Sequence, residues 1–151
     1  MFRLLGKLGA AFGGSIGGDP LGAELAVNGT FDTDVVGWSD VSQGFPTWDA
    51  GRMLVTPSPA LGGGGQGVTT ESGKAYRVSI DFERGTTANV QFWAGTAAQN
   101  ADLHNSGAIV LASGTYTFDI TATSVTSWIV VLGFTDGGTA WFDNISVKEI
   151  L

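Results

Sequence analysis

The chain has 151 residues, 24 glycines, no cysteine and a formal net charge of −7. Those values exclude a disulfide framework, a thiol nucleophile and a thiolate metal site, and they leave too few cations to bind a phosphate backbone, so no nucleic-acid partner is expected. The length suits one domain, and 43% hydrophobic residues exclude a disordered composition.

Residues 1–22 stand apart as an expected N-terminal arm. Leu4, Leu5, Leu8, Ala11 and Phe12 fall at helical spacing, but the glycines weaken any helix there. Gly13, Gly14, Gly17 and Gly18 form a flexible link, and Asp19-Pro20 marks a boundary. Gly6, Lys7 and Gly9 interrupt the apolar run, which makes a poor secretory signal. Phe2, Leu4, Leu5, Leu8 and Phe12 are many large side chains to leave in water. They are expected to anchor the chain to an assembly; a frayed terminus is the plainer alternative.

From residue 23 the apolar period changes to two. Tyr76, Val78, Ile80 and Phe82 alternate with Arg77, Ser79, Asp81 and Glu83, a half-buried strand. Val90, Phe92 and Ala94 alternate with Gln91 and Trp93; Tyr116, Phe118 and Ile120 alternate with Thr115, Thr117 and Asp119. Residues 128–134 are apolar on both faces, as in a strand covered on both sides. A last strand runs over 140–147, with a bulge beside Asp143 that returns Ile145 and Val147 to the side of Phe142. Shorter strands are expected near 24–28, 45–49, 52–56, 66–71 and 107–112, with the Gly62–Gly65 run as a loop. No transmembrane stretch is present in the sequence. The expected fold is all-β: an antiparallel two-sheet sandwich over 23–151 behind the Gly-rich arm.

Catalytic patterns lack their context. Gly13-Gly14-Ser15-Ile16-Gly17 matches a nucleophile elbow but precedes any strand. The glycine run Gly62–Gly67 matches a dinucleotide fingerprint but has no helix after it. His104, the one histidine, falls in a polar loop with no partner in sequence, and Asp81 and Glu83 read as a solvated pair. No enzyme activity is expected. Trp93 is out of phase with the core residues around it, so it should leave the core with Gln91. Arg77, Asp81 and Asp119 hold outward positions on other strands, and Trp48 is a further aromatic candidate. A subunit interface, where Trp is enriched, is one reading of Trp93. Trp38, Trp128 and Trp141 are assigned mainly to packing.

Three segments carry a resemblance. Glu24-Leu25-Ala26-Val27-Asn28-Gly29-Thr30-Phe31-Asp32 leads to Gly37-Trp38; Ser72-Gly73-Lys74-Ala75-Tyr76-Arg77-Val78-Ser79 lies between; Trp141-Phe142-Asp143-Asn144-Ile145-Ser146-Val147-Lys148 closes the chain. In this order they resemble the carbohydrate-binding-module-like jelly rolls attached to xylanases and glucanases, and the copies found in bacteriophage virion proteins. The resemblance implies a jelly roll with no required cofactor and a possible glycan ligand, held on flat aromatic faces flanked by amides and carboxylates, with Trp93, Gln91, Trp48, Arg77, Asp81 and Asp119 as the candidates; it is the rival of the interface reading of Trp93. It also implies one structural calcium ion, with Glu24, Asp32 and Asp143 as ligands beside main-chain carbonyls. The leading expectation is a virion fibre, spike or capsid decoration protein that binds host-surface glycans. It would form a homo-oligomer, a trimer by guess, joined to other virion proteins through the arm. A secreted carbohydrate-binding module and a ligand-free structural spacer or cement are the alternatives.

Overall fold

Alternation carries the fold. In the computed structural model, which describes residues 18–151, every second residue of the long strands faces a shared interior. The strands, in chain order, are β1 (Leu21–Glu24), β2 (Ser39–Val41), β3 (Thr47–Asp49), β4 (Arg52–Val55), β5 (Leu61–Thr69) and β6 (Ala75–Glu83). They continue as β7 (Val90–Gly95), β8 (His104–Asn105), β9 (Ser113–Thr121), β10 (Thr126–Phe134) and β11 (Ala140–Ile150). The first sheet runs β3-β4-β11-β6-β9, with β1 beside the far half of β11; the second runs β2-β5-β10-β7-β8. All pairings are antiparallel, and no helix occurs among the described residues.

The inter-sheet core holds the expected side chains. Tyr76, Val78, Ile80, Phe82, Phe118, Ile120, Phe142 and Ile145 come from the first sheet and Phe92 from the second, all buried in one cluster. Phe92 is its aromatic centre, 4.9 Å from Tyr116, 5.5 Å from Phe82 and 5.9 Å from Phe142 between ring centroids. Such tilted and offset pairs add to plain burial. Val130, expected in this core, is fully buried on the other side of its sheet, with Val41 and Leu132 in a second cluster. β10 is therefore covered on both faces, as its sequence required.

The bulge in β11 forms as expected. Its register with β6 shifts between Asp143 and Ser146, and Asn144 takes φ +48°. Phe142, Ile145 and Val147 are all buried as a result. The loop after β1 rests on this bulge: the Ile145 N–H donates to the Gly29 carbonyl at 2.9 Å. A Cβ on Gly29 would fall 2.0 Å from the Ile145 oxygen, so no other residue fits there.

Four strand assignments differ from expectation. β1 opens at Leu21, inside the stretch assigned to the arm, because it pairs Leu21 with Ile150 and Glu24 with Lys148. β2 was not expected. Residues 107–112 contribute only a bridge between Ile109 and Val90, while β8 forms just before them. The glycine run is not a loop but the buried half of β5. A Cβ on Gly44 would lie 2.0 Å from the Gly63 nitrogen, and one on Gly63 would lie 1.7 Å from the Val131 oxygen. The glycines are there because two backbones approach this strand, which is the recurring reason for glycine inside a sheet. The arm anchors Phe2, Leu4, Leu5, Leu8 and Phe12 lie outside the described residues.

Candidate functional site

The outer face of the second sheet gathers the aromatic side chains that the core does not use. Strand register sets the rows. Asn105, Trp93, Val130, Gly65 and Ser39 stand opposite one another across β8, β7, β10, β5 and β2. The next row holds Gln91, Leu132, Gly63 and Val41. Trp128 lies diagonal to Trp93, opposite Gly95 and Gly67. Trp93, Trp128, Phe134 and Leu61 are half-buried and pack over the buried floor of Val41, Val130 and Leu132. The Trp93 Nε1–H donates to Gln91 Oε1 at 3.1 Å, which fixes the indole beside an amide. None of these sheet positions carries a charge.

A loop closes one end of this face. Asp102 accepts the Thr96 N–H and the Thr96 hydroxyl, each at 2.9 Å. These two bonds hold its carboxyl below the ordinary carboxylate range. The loop brings Ala98 onto the second cluster. The whole arrangement is an apolar platform with two indoles, flanked by Gln91, Asn105 and Ser39. Such a surface stacks on the C–H faces of neutral rings and bonds their hydroxyls through amides.

The expected sugar-binding set is split between two faces. Trp93 and Gln91 share the platform, but Arg77, Asp81 and Asp119 point outward from the first sheet, on the opposite side of the molecule. Arg77 and Asp119 are cross-strand partners joined by two bonds of 2.8 Å, and Asp19 adds a third contact at 3.0 Å. The guanidinium holds the Asp119 carboxyl below its ordinary value. Trp48 lies on the edge strand β3, 46% exposed, and its Nε1–H donates to the Phe31 carbonyl at 2.7 Å. It ties the buried Phe31 (φ +48°) in place rather than joining Trp93. Trp128, assigned to packing, is the residue that the platform adds. Its phase with Val130, Leu132 and Phe134 was the signal available in the sequence.

His104 is not a surface loop residue. Its ring stacks on Phe118 at 3.9 Å, and its Nε2 shares a 3.0 Å bond with the Tyr116 hydroxyl. Burial pushes its pKa below the ordinary imidazole value, and that of Tyr116 above the ordinary phenol value. It is a half-buried ring that bridges β8 of the second sheet to β9 of the first.

Glu24, Asp32 and Asp143, expected to hold calcium, do not form a three-carboxylate cluster among the described residues. Glu24 spends its carboxylate on β11 and its own turn: Oε1 accepts the Val147 N–H at 2.7 Å, the Ala26 N–H at 3.0 Å and the Leu25 N–H at 3.1 Å, and Oε2 accepts the Ser146 hydroxyl at 2.6 Å. Burial pushes the Asp143 carboxyl above the ordinary range, helped by the charges of Asp81 and Asp32 and opposed by the Asn144 N–H and the Arg52 charge. Among the described residues no three acidic or imidazole groups gather at metal-ligand spacing. Calcium takes six to eight oxygens, so a site at Asp143 would need main-chain carbonyls beside these side chains.

No protein-family model and no curated protein sequence matches the chain. Solved structures do. A CBM4 structure superposes with TM-score 0.60 at 17% identity, over 82% of this chain and 98% of its own. The N-terminal cellulose-binding domain of Cellulomonas fimi β-1,4-glucanase C gives 0.62 at 19%, over 85% and 99%. The enzymatically active domain of tailspike protein 4 from bacteriophage CBA120 gives 0.59 at 11%, over 84% of this chain but only 21% of the tailspike chain. The chain thus has the sandwich fold of these jelly-roll modules.

Proposed function

We propose that this chain is a non-catalytic glycan-binding jelly roll that takes a neutral glycan on the outer face of its second sheet. One observation carries the reading: Trp93 and Trp128 stand half-buried on one face of the second sheet, over an apolar floor and with no charged side chain in their rows of the sheet. The likeness to cellulose-binding and other carbohydrate-binding modules supports it. The test is calorimetric titration with a panel of neutral oligosaccharides, cellotetraose among them, on the wild type and on Trp93→Ala and Trp128→Ala. Binding by the wild type that falls at least about tenfold in each variant is expected, as for a central aromatic contact. A wild type that binds none of them, and a mass in light scattering that halves or falls further in Trp93→Ala, would assign the platform to a subunit interface.

The tailspike likeness favours a second, finer reading, in which this jelly roll is displayed on a virus particle and docks through its N-terminal arm. Under it, a chain lacking residues 2–18 folds normally but fails to join particles. Normal incorporation of the truncated chain would end that reading.

A further inference from the structure

The opposite face of the molecule carries a recess that the platform reading does not use. It lies on the outer side of the first sheet, has a volume of about 200 Å³, and is lined by Arg52, Asp81, Glu83, Ser113, Trp141 and Asp143 with the backbone between them. One wall is fixed. The Trp141 Nε1–H donates to Asp49 at 2.7 Å, the Arg52 guanidinium lies 4.9 Å from the centre of the indole, and the same guanidinium bonds Glu83 at 2.6 Å. Ser113 stands opposite Glu83 on β9 and supplies a hydroxyl on the other side.

The base of the recess is set against its own sheet. Asp81 and Asp143 are directly opposite on β6 and β11, and like charges so placed are unfavourable. No cation among the described residues forms an ion pair with either one. Asp81 is oriented by the Thr115 hydroxyl at 2.6 Å and the Asn144 amide at 2.9 Å, which leaves each oxygen a free lone pair. Asp143 is held by the Asn144 N–H through Oδ1 alone, and no hydrogen bond from the described residues reaches its Oδ2. Three carboxylates thus face one guanidinium that is already engaged. The recess repels acidic sugars and phosphates, and it presents what a ring with hydroxyls and a cation requires: a wall of Trp141 with the Arg52 guanidinium over its ring, a hydroxyl and oriented acceptors.

We infer that this recess is a second ligand site, separate from the platform, and that it takes an amino-sugar residue through its ammonium group. The ammonium bonds Asp81 and Asp143, and the ring lies along the Trp141–Arg52 wall. The experiment is calorimetry at low salt with the glucosamine tetramer, its fully N-acetylated counterpart and cellotetraose. The proteins are the full chain, Asp143→Asn, Asp81→Asn and Trp93→Ala, each with a thermal melt to confirm folding. Asp143→Asn removes a like charge, so it keeps the fold. The glucosamine tetramer is expected to bind, to weaken at least about tenfold in both Asn variants, to weaken with added salt, and to bind Trp93→Ala unchanged. Absence of binding to the wild type, equal binding of the acetylated tetramer, or survival of binding in both Asn variants overturns the site. Loss in Trp93→Ala alone also overturns it, by moving the ligand to the platform. Cellotetraose reads the platform separately, so the two assignments can fail independently.

Discussion

Phe92 and Trp93 are adjacent in β7 and face opposite sides of the second sheet, so truncating each should fail in a different assay. Phe92 is fully buried and touches three other rings. Phe92→Ala loses the transfer energy of the ring and leaves a cavity, about 3–5 kcal/mol together. A domain of this size has about 5–15 kcal/mol of stability, so the variant should be strongly destabilised. Trp93 is half-buried over Val130 and Leu132, and its removal forfeits roughly 1–2 kcal/mol of apolar burial. Trp93→Ala should therefore fold, with a modestly lower urea midpoint, while its oligosaccharide affinity falls. Urea unfolding followed by tryptophan fluorescence, with unchanged slope, gives the first quantity; calorimetry gives the second. A Phe92→Ala loss below about 1 kcal/mol, or a larger loss for Trp93→Ala than for Phe92→Ala, would mean that the phase of β7 is misassigned.

Gly29→Ala should destabilise by several kcal/mol or prevent folding, because its Cβ would sit on the Ile145 carbonyl; a melting temperature within a degree of wild type would contradict the packing of that loop on the bulge. His104 has a folded pKa below its unfolded value, so its contribution to stability is present above the ordinary imidazole pKa and is lost as pH falls through the folded one. Chemical denaturation at pH 7 and pH 5 should show a larger loss for the wild type than for His104→Phe, and parallel losses would place the ring in water. EDTA and added calcium should leave the melting temperature unchanged if side chains alone decide, since no three carboxylates gather among the described residues; a calcium-dependent rise would show that main-chain carbonyls complete a site around Asp32 and Asp143.

The layers of the fold were legible where residues alternate. Tyr76 to Phe82 and Tyr116 to Ile120 fixed two strands and their buried side, because period two leaves no other arrangement with one face dry. The bulge at Asp143 was legible for the same reason: only an extra residue keeps Phe142, Ile145 and Val147 on one side. The glycines of β5 were not legible. A glycine has no side chain to alternate, and what selects it here is the approach of Gly44 and the Val131 carbonyl, which are distant in sequence. His104 was hidden by its neighbours in the same way, since Asn105, Ser106 and Gly107 read as a loop while the ring faces Phe118 from another strand.

The outer aromatic face was half legible, and the missing half is a matter of topology. Alternation says whether a side chain points in or out; it does not say from which sheet. Trp93, Arg77, Asp81 and Asp119 all point outward, yet β7 lies in the second sheet and β6 and β9 in the first, so one expected site became two surfaces of different character. The platform has indoles, amides and no charge, and the opposite face has carboxylates, an engaged guanidinium and the Arg77–Asp119 pair. A neutral chain and a cationic ring ask for those two sets of groups separately. The division follows from strand order, which brings β6 between β11 and β9 and puts β7 beside β10. It makes the two surfaces separable by mutation, because a change on one outer face reaches the other only through the shared core.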